Sequence, residues 1–322
     1  MKKDSMIRKV QNSKFLRLLK IQWPIHAMVL PGIIFVVIFS YIPMYGVLAA
    51  FKDFSLAEGF WNSPWAVAAD GSADVLKYFK QFLSDARFWD AMVNTLVINL
   101  LGLVFSFPMP IIFSLLLVEL TNAKYRKLVQ TISYLPYFIS WAVFSGITIK
   151  LLDPTTGALG QLLVSAGMID EGYYILNHPE NIYAVVIISG LIKGLGWGSI
   201  VYVASLTSVS EELVESALLE GANRLQKMYY ISFPTIKGTV AIYLIFAVSG
   251  VLGSNFDQMY LLKNGMNESK TEVIDTFVYE IGIKSMNISY STAVGLMRSV
   301  LAFILLVGAN FASKKMSGHG IY

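Results

Sequence analysis

The 322-residue chain contains no cysteine and only three histidines, and 14% of its residues are charged, about half the share usual in a soluble domain. Without cysteine there is no disulfide, no iron–sulfur cluster and no thiolate zinc site. His26, His178 and His319 lie far apart in sequence and define no metal-ligand spacing, so no metal site is expected. What is abundant is apolar: 55% of residues are hydrophobic and mean hydropathy is +0.59. That composition argues against a water-soluble globule.

The charges leave long gaps. Residues 21–51, 91–118, 128–149, 194–210, 238–256 and 299–313 contain no Asp, Glu, Lys or Arg. Six such blocks are the pattern of a polytopic membrane protein, and spans are expected at 25–50, 91–118, 129–150, 182–206, 238–262 and 291–312, each near or above the ~20 residues that cross ~30 Å of hydrocarbon. The expected architecture is an all-α integral membrane domain of six transmembrane helices at 25–312, between a basic N-terminal segment at 1–24 and a short tail at 313–322. Pro31, Pro43, Pro108 and Pro110, with the glycine cluster at 190–198, mark three of the spans as interrupted. The apolar stretch of the first span is too long for a signal-peptide core, so it reads as a retained anchor.

The surplus of Lys and Arg, formally +4, gives orientation rather than nucleic-acid binding. With both termini inside, fifteen basic residues fall in the inner segments and seven in the outer ones. The multi-pass topology with cytoplasmic termini follows from that bias. The outer segments are long and carry Trp61, Trp65, Trp89, Tyr173, Tyr174 and Tyr279, a composition suited to interfacial anchoring or to docking an extracytoplasmic partner.

One inner loop, 207–237, is unlike the others: SVSEELVESALLEGANRLQKMYYISFPTIKG from Ser208. Ser208 with Glu211 reads as a capping box, and Leu213, Ala217, Leu218, Gly221 and Leu225 recur at helical spacing. Glu211, Glu212, Glu215 and Glu220 would be repelled by anionic lipid, so the helix is built for a protein groove rather than a membrane surface.

Glu215-Ser216-Ala217, then Gly221, then Ile231-Ser232-Phe233-Pro234 resembles the EAA motif of permease subunits in binding-protein-dependent ABC importers, with Ser216 and Phe233 in place of Ala and Leu. Asn94-Thr95-Leu96, Leu135-Pro136-Tyr137-Phe138-Ile139-Ser140, the stretch 272–279 and Ser291-Thr292-Ala293-Val294-Gly295-Leu296 resemble the LplB-type branch, associated with oligosaccharide and polysaccharide uptake. The resemblance implies a MetI-like fold in a bacterial cell membrane and a pore shared with a second homologous permease. It further implies two cytoplasmic ATPase subunits and an extracytoplasmic solute-binding protein that delivers a glycan. Glu215, Ser216, Ala217, Glu220, Gly221 and Pro234 would then form the ATPase dock. The chain would bind no cofactor itself, ATP being used by the partner subunits, and would not be an enzyme. Gly265-Met266-Asn267-Glu268-Ser269-Lys270-Thr271 lacks the second glycine of a phosphate cradle and falls on the outer side.

Asp257 is the only acid well inside an expected span, within Ser254-Asn255-Phe256-Asp257-Gln258-Met259-Tyr260. Asn255, Asp257, Gln258 and Tyr260 mix carboxylate, amide and aromatic groups that suit sugars, and Arg298 is expected as the partner of Asp257 or as a ligand. Trp197, Tyr202, Tyr137 and Trp141, with Lys193, are further candidates for the path. The alternatives are a permease of the same superfamily for an amino acid, peptide or polyamine, and a membrane-embedded transferase. The latter would need clustered catalytic His or carboxylates, which the isolated histidines and scattered outer acids do not supply.

Overall fold

A computed structural model describes residues 21–68, 70–253 and 256–317; the candidate Asn255 and most of the basic N-terminal segment lie outside the described residues. Among the described residues the chain is helical, with two isolated antiparallel bridges, Lys52 to Trp65 and Val67 to Ala73. It divides into two units, Met1–Val75 and Leu76–Tyr322. In the first, the apolar helix Ile21–Phe51 (span 1) leads into a small folded loop in which Lys52 Nζ donates to the carbonyls of Phe60 and Trp61.

The second unit carries four more long apolar helices: Ala86–Val118 (span 2), Pro179–Leu206 (span 4), Arg224–Leu252 (span 5) and Ile288–Lys315 (span 6). Span 3 is not the continuous helix expected at 129–150. It consists of Ala123–Phe138 and Trp141–Leu151, bent by 102° at the junction. Pro136 deprives the first half of a backbone donor near its end, Ile139 is extended (ψ 132°), and Ser140 restarts the helix, its Oγ accepting from the Val143 N–H.

Prolines interrupt spans 1, 2 and 5 far less than their chemistry suggests. The residue before each of Pro43, Pro108 and Pro234 bonds back five positions instead of four: Ile42 to Val37, Phe107 to Gly102 and Phe233 to Met228. A single π turn ahead of each proline shifts the backbone ladder where the ring would otherwise clash, and the helices run through. Span 5 does stop early, at Leu252 and not at 262, because Gly253 turns extended (ψ 147°) and its carbonyl is taken by Asn99 Nδ2 at 2.6 Å. A separate short helix, Phe256–Leu262, follows the break.

Span 4 is the hub. At its N-terminal end Ile182, Val185 and Val186 pack with Ile98, Met259, Leu262 and Val273; at its C-terminal end Tyr202 and Leu206 pack with Ile111 and Ile236. Between lipid-immersed helices apolar burial gives no net drive, and close contact of small residues substitutes for it. A Cβ on Gly196 would lie 2.1 Å from the Ser133 carbonyl of span 3, and one on Gly198 would lie 3.2 Å from the Pro110 ring of span 2.

The segment after span 5 is stapled by amides and hydroxyls that satisfy its irregular backbone. Asn94, 2% exposed, donates to the carbonyls of Ser269 and Glu272 and accepts from Tyr183 Oη at 2.6 Å. Thr95 Oγ1 accepts from the Ile274 N–H. Asn267 Nδ2 bonds the carbonyls of Leu176 and Leu262, which makes the glycine-bearing stretch 265–271 a filled structural turn.

Candidate functional site: coupling loop and membrane path

Span 4 ends at Leu206, and Ser208 belongs to that ending: its hydroxyl donates back to the Ser205 carbonyl at 2.7 Å. The expected capping box at Ser208 is therefore not formed, and Ser210 is the residue that enters the next helix, Glu211–Leu219. Glu211, Glu212, Glu215, Ser216 and Glu220 are exposed on it, Ala217 is half-buried, and Leu219 is 91% exposed. A nine-residue helix is too short to be stable on propensity alone, so its ends must hold it.

The C-terminal end does so through Gly221. Its φ is +82°, the Ala222 N–H bonds the Ala217 carbonyl at 2.9 Å and the Gly221 N–H bonds the Leu218 carbonyl at 3.0 Å. This pair of bonds is a Schellman stop, for which a residue without Cβ is the unstrained choice. Two residues on, Asn223 and Gln226 cap one another reciprocally (2.8 and 2.9 Å) and start span 5. The glycine of the EAA-like motif thus reverses the chain, and Pro234 sits in the first turn after the π turn of span 5.

Beneath the helix, Lys227 pairs with Glu119 at the C-terminal end of span 2 (2.8 Å), both largely buried. They line a cavity of about 310 Å³ together with Glu211, Glu215, Val214 and Ser232. Glu215 consequently shares a pocket with a buried ion pair that spacing along the chain does not reveal. The one signal for Glu119 is its position: the first charge after the 91–118 gap.

The path candidates separate into those that meet and those that do not. Tyr137, in the last turn before the span 3 break, stacks on Trp197 of span 4 with centroids 4.4 Å apart and planes 3° from parallel, and Phe138 meets Trp197 edge-on. Tyr137 and Trp197 are 41% and 43% exposed, so the pair presents open aromatic surface. Trp141 stands just past the break, in edge contact with Phe144. Tyr260 stacks on Phe256 and meets Tyr279 edge-on.

Three expectations are corrected. Arg298 pairs with Asp275, not with Asp257; the two lie where span 6 passes the helix Ile274–Tyr279, whereas Asp257 is exposed on the short helix Phe256–Leu262 beyond the end of span 5. Gln258, 3% exposed, spends its amide on the Val186 carbonyl (2.8 Å) and Ser189 Oγ (2.9 Å), which makes it a staple between helices. Tyr202, 3% exposed, is core, packed beside Tyr243, Ile111 and Ile236.

After span 5, Glu268, Glu272 and Glu280 bring carboxylate oxygens within 4.8 Å of one another, and each has a basic partner. Arg87 bonds Glu272 (2.8 Å) and Glu280, and Lys263 bonds Glu268 and Glu280 at 2.8 and 2.7 Å. Burial opposes ionisation of Glu280, but the bonds from Lys263 and Arg87 outweigh it and hold the carboxyl below the usual range. For Lys263 burial likewise opposes the charge, and Glu268 and Glu280 overcome it and raise the ammonium's pKa.

Known proteins match this arrangement over most of its length. The chain is 37% identical over 298 residues to Protein LplB of Bacillus subtilis (strain 168), covering 92% of this chain and 91% of that one. It is 35% identical over 320 residues to the polygalacturonan/rhamnogalacturonan transport system permease protein YteP of the same organism, covering 99% and 97%. Among solved structures, a chain of a bacterial alginate ABC transporter in complex with alginate pentasaccharide-bound periplasmic protein superposes with a TM-score of 0.83 at 33% identity, covering 95% of this chain and 99% of that one. Residues 87–318, which hold spans 2 to 6 and the coupling loop, match the model of the binding-protein-dependent transport system inner membrane component, and the chain belongs to that family.

Proposed function

We propose that this chain is one permease half of an ATP-driven importer that receives an oligosaccharide, derived from a polysaccharide, from an extracytoplasmic binding protein. The observation that carries the reading is the exposed glutamate-bearing helix 211–219, locked by Gly221 and joined without slack to spans 4 and 5. Such a helix is a handle: a protein groove that grips it moves both spans. The inward position of the loop rests on the basic-residue bias, which also puts both termini in the cytoplasm.

In this reading the handle belongs to the six-span membrane domain through loop 207–237, and two ATPase subunits close on nucleotide, one gripping this handle and the other that of a second permease. Glu215, with Ser216, Ala217 and Glu220, supplies the contact surface, and the nucleotide is bound and hydrolysed entirely by those partners. Movement of the helix rocks spans 4 and 5 as bodies and alternates access to the path. The stacked Tyr137–Trp197 pair offers the flat apolar face on which sugar C–H surfaces lie. Resemblance to transporters named for pectic polysaccharides and alginate favours a glycan over a peptide, amino acid or polyamine.

The test is reconstitution in vesicles with the second permease, the ATPase pair and the binding protein. Uptake of radiolabelled oligosaccharides is expected, with Glu215→Lys abolishing uptake while insertion is unchanged. Uptake of peptides or amino acids with no response to any oligosaccharide overturns the reading.

A further inference from the structure

We propose that Lys193 is a positioning residue for transport: it ties the break of span 3 to span 4, so that the Tyr137–Trp197 face moves together with the coupling helix. The inference rests on the importer reading above and adds to it the part that connects the handle to the path.

Lys193 stands near the middle of the 25-residue helix Ile182–Leu206, is 6% exposed, and is the lone charge between Asn181 and Ser210. A lysine so placed needs a partner, and among the described residues no carboxylate pairs with it. Its Nζ donates instead to three main-chain carbonyls of the break, those of Pro136 (3.1 Å), Tyr137 (3.0 Å) and Ile139. The carbonyls of Pro136 and Tyr137 belong to the last turn of the helix Ala123–Phe138, its negative end, and that of Ile139 to the extended residue that follows it. One ammonium has three protons, and three carbonyls converge on it.

The aromatic surroundings complete the site. The ammonium lies 5.7, 5.3 and 5.6 Å from the ring centroids of Tyr137, Trp141 and Phe144, which come from both halves of span 3. Gly196 and Trp197, three and four residues on, share the face of Lys193: the glycine lets the backbones close up at Ser133, and the indole stacks on Tyr137. Span 4 therefore holds the break by a cation, a backbone contact and a stacked ring within about one helical turn. From Lys193 the helix runs on to Leu206, and after four intervening residues the coupling helix begins at Glu211.

The absence of cysteine allows spin labels to be placed at will. Val143→Cys, 56% exposed just past the break, and Thr207→Cys, at the end of span 4 and roughly 21 Å along the helix from Lys193, report their separation by pulsed electron resonance in the assembled transporter. The parent is expected to keep one narrow distance in the resting and nucleotide-trapped states. Lys193→Met is expected to let that distance broaden or shift by roughly 2–5 Å on trapping, with uptake lowered at least about tenfold. Lys193→Arg keeps the charge, but its planar donors do not converge on three carbonyls, so it should assemble and show the same broadening even if Lys193→Met does not assemble. Uptake at the parent rate in either variant, or lost uptake with the parent's unchanged distance, overturns the proposal. The distance is read without glycan, so a wrong glycan assignment leaves it standing. A parent transporter that hydrolyses no ATP refutes the importer reading instead.

Discussion

Gly221 offers the sharpest test of how the coupling helix is held. An added Cβ would meet nothing within 4 Å, so Gly221→Ala introduces no clash, and its whole cost is the backbone at φ +82°. For an L residue that conformation costs roughly 1–2 kcal/mol. If the Schellman stop must be intact for docking, the penalty weakens engagement of the ATPase by about 5- to 30-fold, since 1.4 kcal/mol is tenfold in an equilibrium. Gly221→Asn should recover most of the loss, because asparagine adopts this region more readily than alanine. The assay is binding-protein-stimulated ATP hydrolysis in vesicles, titrated with the ATPase subunit, alongside thermal melting of the permease complex. Melting should stay near that of the parent, since the spans are untouched. Equal affinity in the alanine variant and the parent, or equal losses for alanine and asparagine, would refute the argument that backbone conformation at this residue controls docking.

Other consequences are checked more briefly. Gly196→Ala forces a Cβ to within 2.1 Å of the Ser133 carbonyl and should sharply reduce the yield of assembled protein on a size-exclusion column, whereas Gly146→Ala, which meets nothing within 4 Å, should be neutral there. Breaking the Glu119–Lys227 pair with Lys227→Met leaves a buried carboxylate and should cost on the order of 3 kcal/mol in denaturant stability; the double change Glu119→Leu with Lys227→Met should cost less than the single one, and a purely additive double variant would contradict the pairing. The Glu280 carboxyl is held below its ordinary pKa, so its stabilisation is present at neutral pH and is lost as the pH falls through and below the usual carboxylate range. Melting temperature followed over that range should drop for the parent and drop less for Glu280→Gln; identical profiles would show that this network is idle.

Some expectations survived folding because their causes are local. Long apolar runs form apolar helices from their own residues, and the stop at Gly221 is made by bonds that reach back three and five positions. The misplaced elements failed for equally definite reasons. The end of span 5 was read at 262 because hydropathy continues past Gly253, but the carbonyl of that glycine is claimed by Asn99, 154 residues away in sequence. Gln258 and Tyr202 have the chemistry of ligands in the sequence, and only the neighbouring spans show that one is a staple and the other is core.

The amino-acid sequence by itself determined the class of the molecule, its five or six helices long and apolar enough to cross a membrane, and the place of the helix 211–219, because apolar runs and helix capping depend on residues within a turn or a bilayer's thickness of one another. The tertiary structure alone decided the partners of its intramembrane charges. Arg298 had Asp257 and Asp275 within reach by composition, and Lys193 had no acid to claim; the choice of Asp275 for one and of three carbonyls 54 to 57 residues away for the other was made by how the helices cross. A charge within a membrane must be satisfied by whatever lies beside it, and what lies beside it is a property of packing.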